Sequence, residues 1–447
     1  MQTIGLWSRC PGADGCRRAR DRPAILPRVT TRLEKFRGYM ARLAPAANPL
    51  DAVREGLYVP RPGRSTADEI AARLELDPTS SHLVVGGIGS GKTTQLLVAH
   101  DRLSGLSDTH AEYVDISEVH DISRMESGAL LVIAGLMLGR RLDKFCDDDA
   151  ALAAGEQFRR WAHGHVETYW IDDDVNGYEH DDYDDREPPS EPQPQRLVKI
   201  KEQALLSSPQ RSLEWTVDEK SSTLALLCKG LRKQFQHIVL LLDSLDRLSD
   251  VSIFAKLVEQ DVRAIREAGI GVVLVGPLRS MFGANRPIVD HFQHFYPQPA
   301  VDVHEDSAGR AFMVEVLRKR APTDLLTDEA CVSLAILSGG VLRDLISLAR
   351  AAGEEAYMSG ADKVEPEHIA TAADAFGRKL IFGLSPDEID VLQRVKKSGG
   401  FVQTSDQDLA LLVTRRVLEY QTSSRRFEVH PTLLPLLEQL ASMEHKK

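Results

Sequence analysis

Runs of consecutive apolar residues alternate with longer segments of helical periodicity from residue 50 to about residue 305. The apolar runs predict strands at 82–87, 111–117, 237–243 and 269–276. Helices are predicted after the first two of these strands, at 92–103 and 125–144. Strands that lack polar alternation are typical of a parallel sheet that is covered on both faces. The pattern therefore predicts an α/β fold for residues 50–305.

The hydrophobic pattern changes twice in the C-terminal part of the chain. Residues 306–383 show helical spacing, with Thr327 and Glu365 placed where helices begin, which predicts an all-helical unit. Residues 384–447 mix both periodicities and predict a small α/β module. The elements predicted in this module are helices at 386–397, 406–413 and 431–442 and a hairpin of strands at 415–420 and 426–430.

One polar segment, at about 146–215, interrupts the α/β pattern. It contains ten acidic residues between Asp172 and Glu191, and prolines follow. Such a composition cannot bury enough apolar surface to order itself, so a solvated acidic loop is the favoured interpretation. The alternative is a calcium-binding loop, because residues 172–177 match the opening of one. The bidentate glutamate of such a loop is missing, since Tyr183 occupies its position.

The first 49 residues differ from the rest of the chain. Residues 1–39 contain nine Lys or Arg against three acidic residues and show no clear periodicity. We therefore expect a basic, disordered segment, and Met40 is a candidate for the true first residue. A transit peptide and a nucleic-acid-binding arm are the alternatives, whereas the absence of an apolar core argues against a secretory signal.

Composition narrows the classes of function. The 447 residues are 43% hydrophobic and 27% charged, as in a soluble protein of two or three domains. A formal charge of −11 argues against a protein that binds nucleic acid with its whole surface. The five cysteines follow no metal-binding spacing, so reduced thiols in a cytoplasm are expected. The most apolar segment, 128–142, is shorter than the ~18 residues of a membrane span, and no membrane association is expected.

The sequence GGIGSGKT follows the first predicted strand and opens the first predicted helix. Its glycines allow successive backbone N–H groups to wrap around phosphates, and the helix N-terminus adds a favourable dipole. Lys92 is expected to reach the β- and γ-phosphates of ATP, or the β-phosphate of ADP, and the Thr93 hydroxyl to hold Mg²⁺. The candidate nucleotide-binding residues of this loop are Gly86, Gly87, Ile88, Gly89, Ser90, Gly91, Lys92, Thr93 and Thr94.

Two aspartates lie at and just after the end of the strand predicted at 237–243. Asp243 ends the strand, where a carboxylate reaches the Mg²⁺ held by Thr93. The next residue, Ser244, cannot act as a carboxylate base, so Asp246 is the candidate group that positions the attacking water. The alternatives for Asp246 are a helix cap or an ion pair with Arg247. Because this arrangement lacks a carboxylate directly after Asp243, slow hydrolysis is expected.

From about residue 48 to residue 440 the sequence resembles the AAA+ and STAND ATPases. The similarity lies in the order of phosphate loop, metal aspartate, helical lid (306–383) and small C-terminal winged helix (384–447). Short motifs extend the resemblance to single residues. YVPRPG implies that Tyr58 and Val59 contact adenine, and VGPLR implies that Arg279 is a sensor-1 arginine. SGGVLRDLI implies that Arg343 is a sensor-2 arginine, and FEVHP implies that His430 closes over the diphosphate.

The winged-helix-like module has an unusual charge distribution for a DNA reader. The segment in the position of a recognition helix, 405–414, contains two aspartates near its start and is otherwise apolar, so phosphates would repel it. The hairpin carries four arginines, Arg415, Arg416, Arg425 and Arg426, and a contact with a DNA backbone stays open. We expect the module to pack as a lid.

The sequence predicts a slow ATPase that works as a nucleotide-dependent switch. No repeat array of the kind that STAND proteins use as a sensor is detectable, so a partner protein, the acidic insertion or residues 1–49 are expected to supply sensing and output. The resemblance implies a bacterial signalling or defence setting and a homo-oligomer as one candidate state. The alternatives are a DNA-associated AAA+ regulator and a non-hydrolysing scaffold that retains its nucleotide.

Overall fold

A computed structural model describes residues 31–44, 49–142, 147–163, 216–402, 405–421 and 424–444. Of the acidic loop predicted at about 146–215, residues 164–215, with the calcium loop predicted at 172–177, lie outside the described residues. Asp149–His163 form a helix whose Phe158 is fully buried, so the prediction of a solvated loop is wrong for these residues. Among the described residues, no helix is both long and apolar enough to cross a bilayer. The described helices are α1 (Arg32–Arg42), α2 (Pro49–Arg54), α3 (Thr66–Leu76), α4 (Lys92–Ser104), α5 (Ile116–Val119), α6 (Ala129–Leu142), α7 (Asp149–His163), α8 (Val217–Leu231), α9 (Val251–Lys256), α10 (Arg263–Glu267), α11 (Ser307–Arg318), α12 (Asp328–Leu337), α13 (Leu342–Met358), α14 (Pro366–Ile381), α15 (Pro386–Ser398), α16 (Asp406–Val413) and α17 (Leu434–Glu444).

A parallel sheet of five strands forms the centre of the α/β core. The strands are β1 (Ser81–Gly86), β2 (Thr109–Asp115), β3 (His237–Asp243), β4 (Gly271–Gly276) and β5 (His294–Gln298), in the spatial order β2-β3-β4-β1-β5. The four predicted strands and the α/β fold are confirmed. Strand β5 was not predicted, because its sequence HFYPQ is not an apolar run. It contains Pro297, which an edge strand tolerates.

Helices cover both faces of the sheet because alternate residues of each strand point in opposite directions. On one face, Val84 and Leu241 pack with Leu96 of α4. On the other face, Leu83 and Leu242 belong to a larger core that α6–α10 complete. This second core accounts for the apolar segment 128–142, most of which is the buried helix α6.

Helices α11–α14 form the predicted helical lid, and α1 packs into its core. A capping box between Thr31 and Glu34 begins α1, and the buried Tyr39 donates a hydrogen bond to the Ala349 carbonyl at 2.6 Å. The expectation of disorder for residues 1–49 is therefore wrong for residues 31–44. The many basic residues of this segment make its apolar face, which includes Phe36 and Tyr39, difficult to recognise in the sequence. A chain that began at Met40 would lack most of this helix.

The C-terminal module has the elements that the sequence predicts. Helices α15, α16 and α17 pack with strands β6 (Val417–Gln421) and β7 (Arg425–Val429), an antiparallel pair. The module docks on the lid and the core: Tyr420 donates to the Gly339 carbonyl at 2.9 Å, and the Ala300 N–H donates to the Glu419 carbonyl at 3.2 Å. Gly339 has a left-handed φ of 55° and lies against Leu418, and glycine suits both the backbone conformation and the close approach.

Candidate nucleotide-binding site

The loop between β1 and α4 has the backbone of a phosphate-binding loop. Gly89 and Gly91 have φ values of 80° and 91°, a left-handed conformation that glycine adopts without strain. Gly86 lies so close to the Gln298 carbonyl that a Cβ would collide with it. Helix α4 begins directly at Lys92, so its free N–H groups face the loop. A loop of this geometry binds anions through backbone amides and the helix dipole.

Lys92 is buried at the base of this loop. Its Nζ donates to the carbonyls of Gly86 and Gly87 at 2.9 Å each and forms an ion pair with the Asp246 carboxylate at 3.0 Å. The structure thus brings Lys92 and Asp246 together. The alternative pairing of Asp246 with Arg247 does not occur in this arrangement, and the Arg247 guanidinium instead donates to the Ser117 hydroxyl at 3.0 Å.

Asp243 ends β3 and is almost completely buried. One carboxylate oxygen accepts the Ser244 N–H at 2.7 Å, and the other accepts the Tyr113 hydroxyl at 3.0 Å. The Thr93 side chain interacts with this carboxylate, so the two predicted magnesium ligands are adjacent. Burial raises the pKa of Asp243 above its ordinary value, and the interaction with Thr93 partly offsets this rise. Ser244 adopts a left-handed φ of 73°, an uncommon conformation for a residue with a side chain.

The donor set fits Mg²⁺ and a nucleoside phosphate. A hydroxyl and a carboxylate are the hard oxygen ligands that Mg²⁺ prefers, and Mg²⁺ typically takes its other ligands from water and phosphate. Ser90 Oγ is buried and has no hydrogen-bond partner among the described residues. An unsatisfied buried hydroxyl in a phosphate loop is consistent with a ligand that would supply its partner.

Arg343 lies at the start of the lid helix α13 and directly against the phosphate loop. Its backbone N–H donates to the Gly89 carbonyl at 3.4 Å, and a Cβ at Gly89 would lie 2.5 Å from the Arg343 Cβ. Burial, and secondarily the nearby Arg415 cation, lowers the pKa of the Arg343 guanidinium. The predicted Arg279 lies in a 3₁₀ turn after β4 and is partly buried. Contacts of both arginines with nucleotide remain predictions.

The segment ahead of β1 also reaches the loop. Val59 packs against the lid core, and the Tyr58 carbonyl accepts a hydrogen bond from Lys319 at 2.9 Å. Burial raises the pKa of the Tyr58 phenol, and the nearby Gln95 of α4 partly offsets this rise. The sequence analysis missed Arg61, whose guanidinium hydrogen-bonds the Ser90 carbonyl. Its place within the YVPRPG motif was the available signal.

His430 lies at the junction of the C-terminal module and the lid. Its imidazole is fully buried, with Nδ1 hydrogen-bonded to the Thr432 hydroxyl at 2.8 Å and Nε2 at 3.5 Å from the Asp344 carboxylate. Asp344 also accepts a hydrogen bond from Arg415. In this arrangement His430 therefore contacts the residue after Arg343, and the predicted direct contact with a diphosphate stays a prediction.

Comparisons with known proteins place this site in context. No family model matches the chain. A curated relative, ORC1-type DNA replication protein 4 of Halobacterium salinarum, is 30% identical over 154 residues, which are 33% of this chain and 36% of the relative. The chain therefore matches only about a third of the length of that relative.

Solved structures resemble the chain over most of its length at low similarity. Cdc6p of Pyrobaculum aerophilum has 13% identity and a TM-score of 0.39, covering 90% of this chain and 98% of its own. ORC1 of Aeropyrum pernix in complex with DNA has 14% identity, the same TM-score and the same coverage. The RuvB branch migration motor of Thermotoga maritima has 13% identity and a TM-score of 0.37, covering 86% and 98%. The parallel sheet, the phosphate loop after β1 and the helical lid agree with the P-loop α/β fold that the sequence predicts.

Proposed function

We propose that the protein binds ATP, hydrolyses it slowly and works as a nucleotide-dependent switch. Lys92 binds the β- and γ-phosphates, while Thr93 and Asp243 hold Mg²⁺. A metal ion held by Thr93 and Asp243 would neutralise the negative charge that develops on the phosphates. The adjacency of Thr93 and Asp243 at the end of the phosphate loop supports these roles.

Nucleotide binding requires Lys92 to exchange partners. Its amino group is paired with Asp246 at 3.0 Å, and a bound phosphate would compete for the same charge. Once released, the Asp246 carboxylate is free to position the attacking water, directly or through a second water. The Asp246 side chain is 19% exposed, so it reaches solvent without a rearrangement of the core. A base that must first leave an ion pair is consistent with slow turnover.

The switch mechanism is supported most directly by one turn of helix α13. Arg343 contacts the phosphate loop at Gly89, whereas the next residue, Asp344, binds Arg415 of the C-terminal module. Nucleotide and module therefore act on adjacent residues of a single helix. Because a ligand shifts an equilibrium only by its differential affinity for two states, such a shared contact is what a switch needs. ADP and ATP would favour different positions of the module through this turn.

The test separates the module from the phosphate loop. Arg415→Asn removes the bond to Asp344 and suits the left-handed φ of 66° at this position. We expect faster release of a fluorescent ADP in stopped-flow measurements, with ATP binding retained. Arg425→Asn is the matched control, because Arg425 pairs with Glu419 of its own hairpin at 2.7 Å. Equal release rates in the parent and in Arg415→Asn would contradict the switch.

A DNA-associated regulator is the second candidate function. It is favoured by the relative that is 30% identical, whose name states a role in DNA replication. The hairpin arginines have intramolecular partners in this arrangement: Arg416 donates to the Leu380 carbonyl at 2.6 Å, and Arg426 donates to the buried Asp302 at 2.7 Å. Contact of Arg416 and Arg426 with a DNA backbone would thus require the module to undock.

DNA binding that depends on nucleotide would distinguish the two functions. Fluorescence anisotropy of a labelled duplex, measured over a salt series with ATP and with ADP, gives both the affinity and the number of phosphate contacts. Salt-dependent binding that Arg415→Asn and Arg426→Ala change would support the regulator. The absence of binding in every nucleotide state favours a switch that acts on partner proteins. A homo-oligomer is compatible with either function. ADP that stays bound without turnover would instead indicate the remaining alternative, a scaffold that does not hydrolyse its nucleotide.

A further inference from the structure

Tyr113 places a phenol beside the magnesium aspartate. Strands β2 and β3 pair in parallel, with Asp115 opposite Asp243 and Tyr113 opposite Leu241. Because alternate residues of a strand share a face, Tyr113 and Asp243 point to the same side of the sheet, which α4 covers. The Tyr113 hydroxyl donates to Asp243 Oδ2 at 3.0 Å. This strand therefore contributes a hydrogen-bond donor to a site whose other groups come from the phosphate loop and β3.

The phenol is held in position by its surroundings. The ring packs against the apolar core between the sheet and α4, and the edge of His100 lies across it at 6.4 Å between ring centroids. Burial, and secondarily the Asp243 carboxylate, raises the pKa of the Tyr113 phenol well above its ordinary value. A neutral phenol remains a donor at every pH at which the protein would work.

We propose that Tyr113 is a positioning residue for Asp243 and thereby sets the affinity of the site for magnesium. This inference rests on the proposed nucleotide-binding function. Ser244 N–H holds one oxygen of the carboxylate and Tyr113 holds the other, so both ends of the group are fixed. A carboxylate with both oxygens oriented needs no rotation when the metal binds. Partners of this kind tune metal sites even though they do not touch the metal.

Substitution of Tyr113 by phenylalanine tests the hydroxyl and keeps the ring. Nucleotide binding is measured by calorimetry over a Mg²⁺ titration and again in excess chelator. We expect the half-saturating Mg²⁺ concentration of Tyr113→Phe to rise roughly ten-fold or more, because the loss of a hydrogen bond to a charged group has an effect of about this size. Affinity for ATP in chelator should be unchanged, because the phosphate loop and Lys92 are intact. Binding of Mn²⁺ in the presence of ADP, followed by electron paramagnetic resonance, gives a second measure that does not depend on turnover.

Tyr296→Phe is the matched control. Tyr296 lies on β5 in the same core, and its hydroxyl is hydrogen-bonded to His82 at 2.9 Å and to Arg73 at 3.2 Å. This variant also loses a hydroxyl with partners, so it reports the general effect on stability while leaving the magnesium titration unchanged. If Tyr113→Phe lowers the melting temperature but titrates like the parent, the tyrosine is only structural and the inference is overturned. If the parent itself binds no nucleotide at any Mg²⁺ concentration, the proposed function fails instead.

Discussion

Two ion pairs lie beside the phosphate loop. They differ in whether a bound phosphate could replace one of the two partners. In the pair of Lys92 with Asp246, the cation also donates to two carbonyls of the loop, and a phosphate could replace the aspartate. In the pair of Arg415 with Asp344, the buried partner is the anion, whose side chain is 2% exposed. The His430 imidazole lies 3.5 Å from the same carboxylate. The first pair is thus built to exchange, and the second to hold the C-terminal module in place.

The largest effect is expected from removal of the exchanging cation. Lys92→Ala should weaken ATP binding by at least ~100-fold, near the upper limit of what hydrogen bonds to a charged group contribute. The protein should stay folded, because Asp246 is partly exposed and can be solvated when it loses its partner. Calorimetry measures the affinity and circular dichroism the fold. Equal affinity in the variant and the parent would refute the phosphate-binding role.

Removal of the anion of the same pair should separate binding from chemistry. In Asp246→Ala we expect hydrolysis to fall by roughly 100-fold, as for the loss of a general base. ATP affinity should be kept or increased, since Lys92 no longer has to leave a carboxylate. Steady-state phosphate release and calorimetry give the two quantities. Normal hydrolysis by this variant would show that another group positions the water.

The ion pair of Arg415 with Asp344 should contribute to the free energy of unfolding. Arg415→Asn leaves Asp344 buried without its closest cation, which we expect to lower the free energy of unfolding by roughly 1–3 kcal/mol. The double variant with Asp344→Asn should cost less than the sum of the single changes, because both partners are then removed. Denaturant unfolding measures each term. Arg350→Asn, which breaks an exposed pair on the same helix, should change the free energy of unfolding by less than ~1 kcal/mol. Additive single effects would mean that the pair does not couple the module to the lid.

The difference between the two pairs also shows how far a sequence predicts a site. Strand β3 was predicted with its observed bounds, and Lys92, Thr93 and Asp243 come together as expected, because a short motif and an apolar run encode them locally. The pairing of Asp246 with Lys92 was not predicted, since Arg247 is the nearer partner in the sequence. Arg415 and Asp344 are 71 residues apart, so their pairing depends on how the module docks. Tyr113 was missed for the same reason, because its role follows from the register of two strands.

The smallest effect on nucleotide release is expected at His430, and its size decides between two geometries. Asparagine can replace the Nδ1 hydrogen bond to Thr432 but cannot extend to Asp344, so His430→Asn removes only the side of the ring that faces the lid helix. If His430 acts through Asp344, ADP release should accelerate less than in Arg415→Asn, because a group 3.5 Å away contributes less than a direct hydrogen bond. If the module instead closes further and the imidazole donates to the β-phosphate, as the sequence motif implies, ADP release should be faster from His430→Asn than from Arg415→Asn. The release rate of His430→Asn would then exceed that of the parent by ~10- to 150-fold. Stopped-flow release of fluorescent ADP from the parent and both variants ranks them in one experiment. Release from His430→Asn at the rate of the parent would make the histidine a purely structural residue and leave Asp344 and Arg415 as the coupling between nucleotide and module.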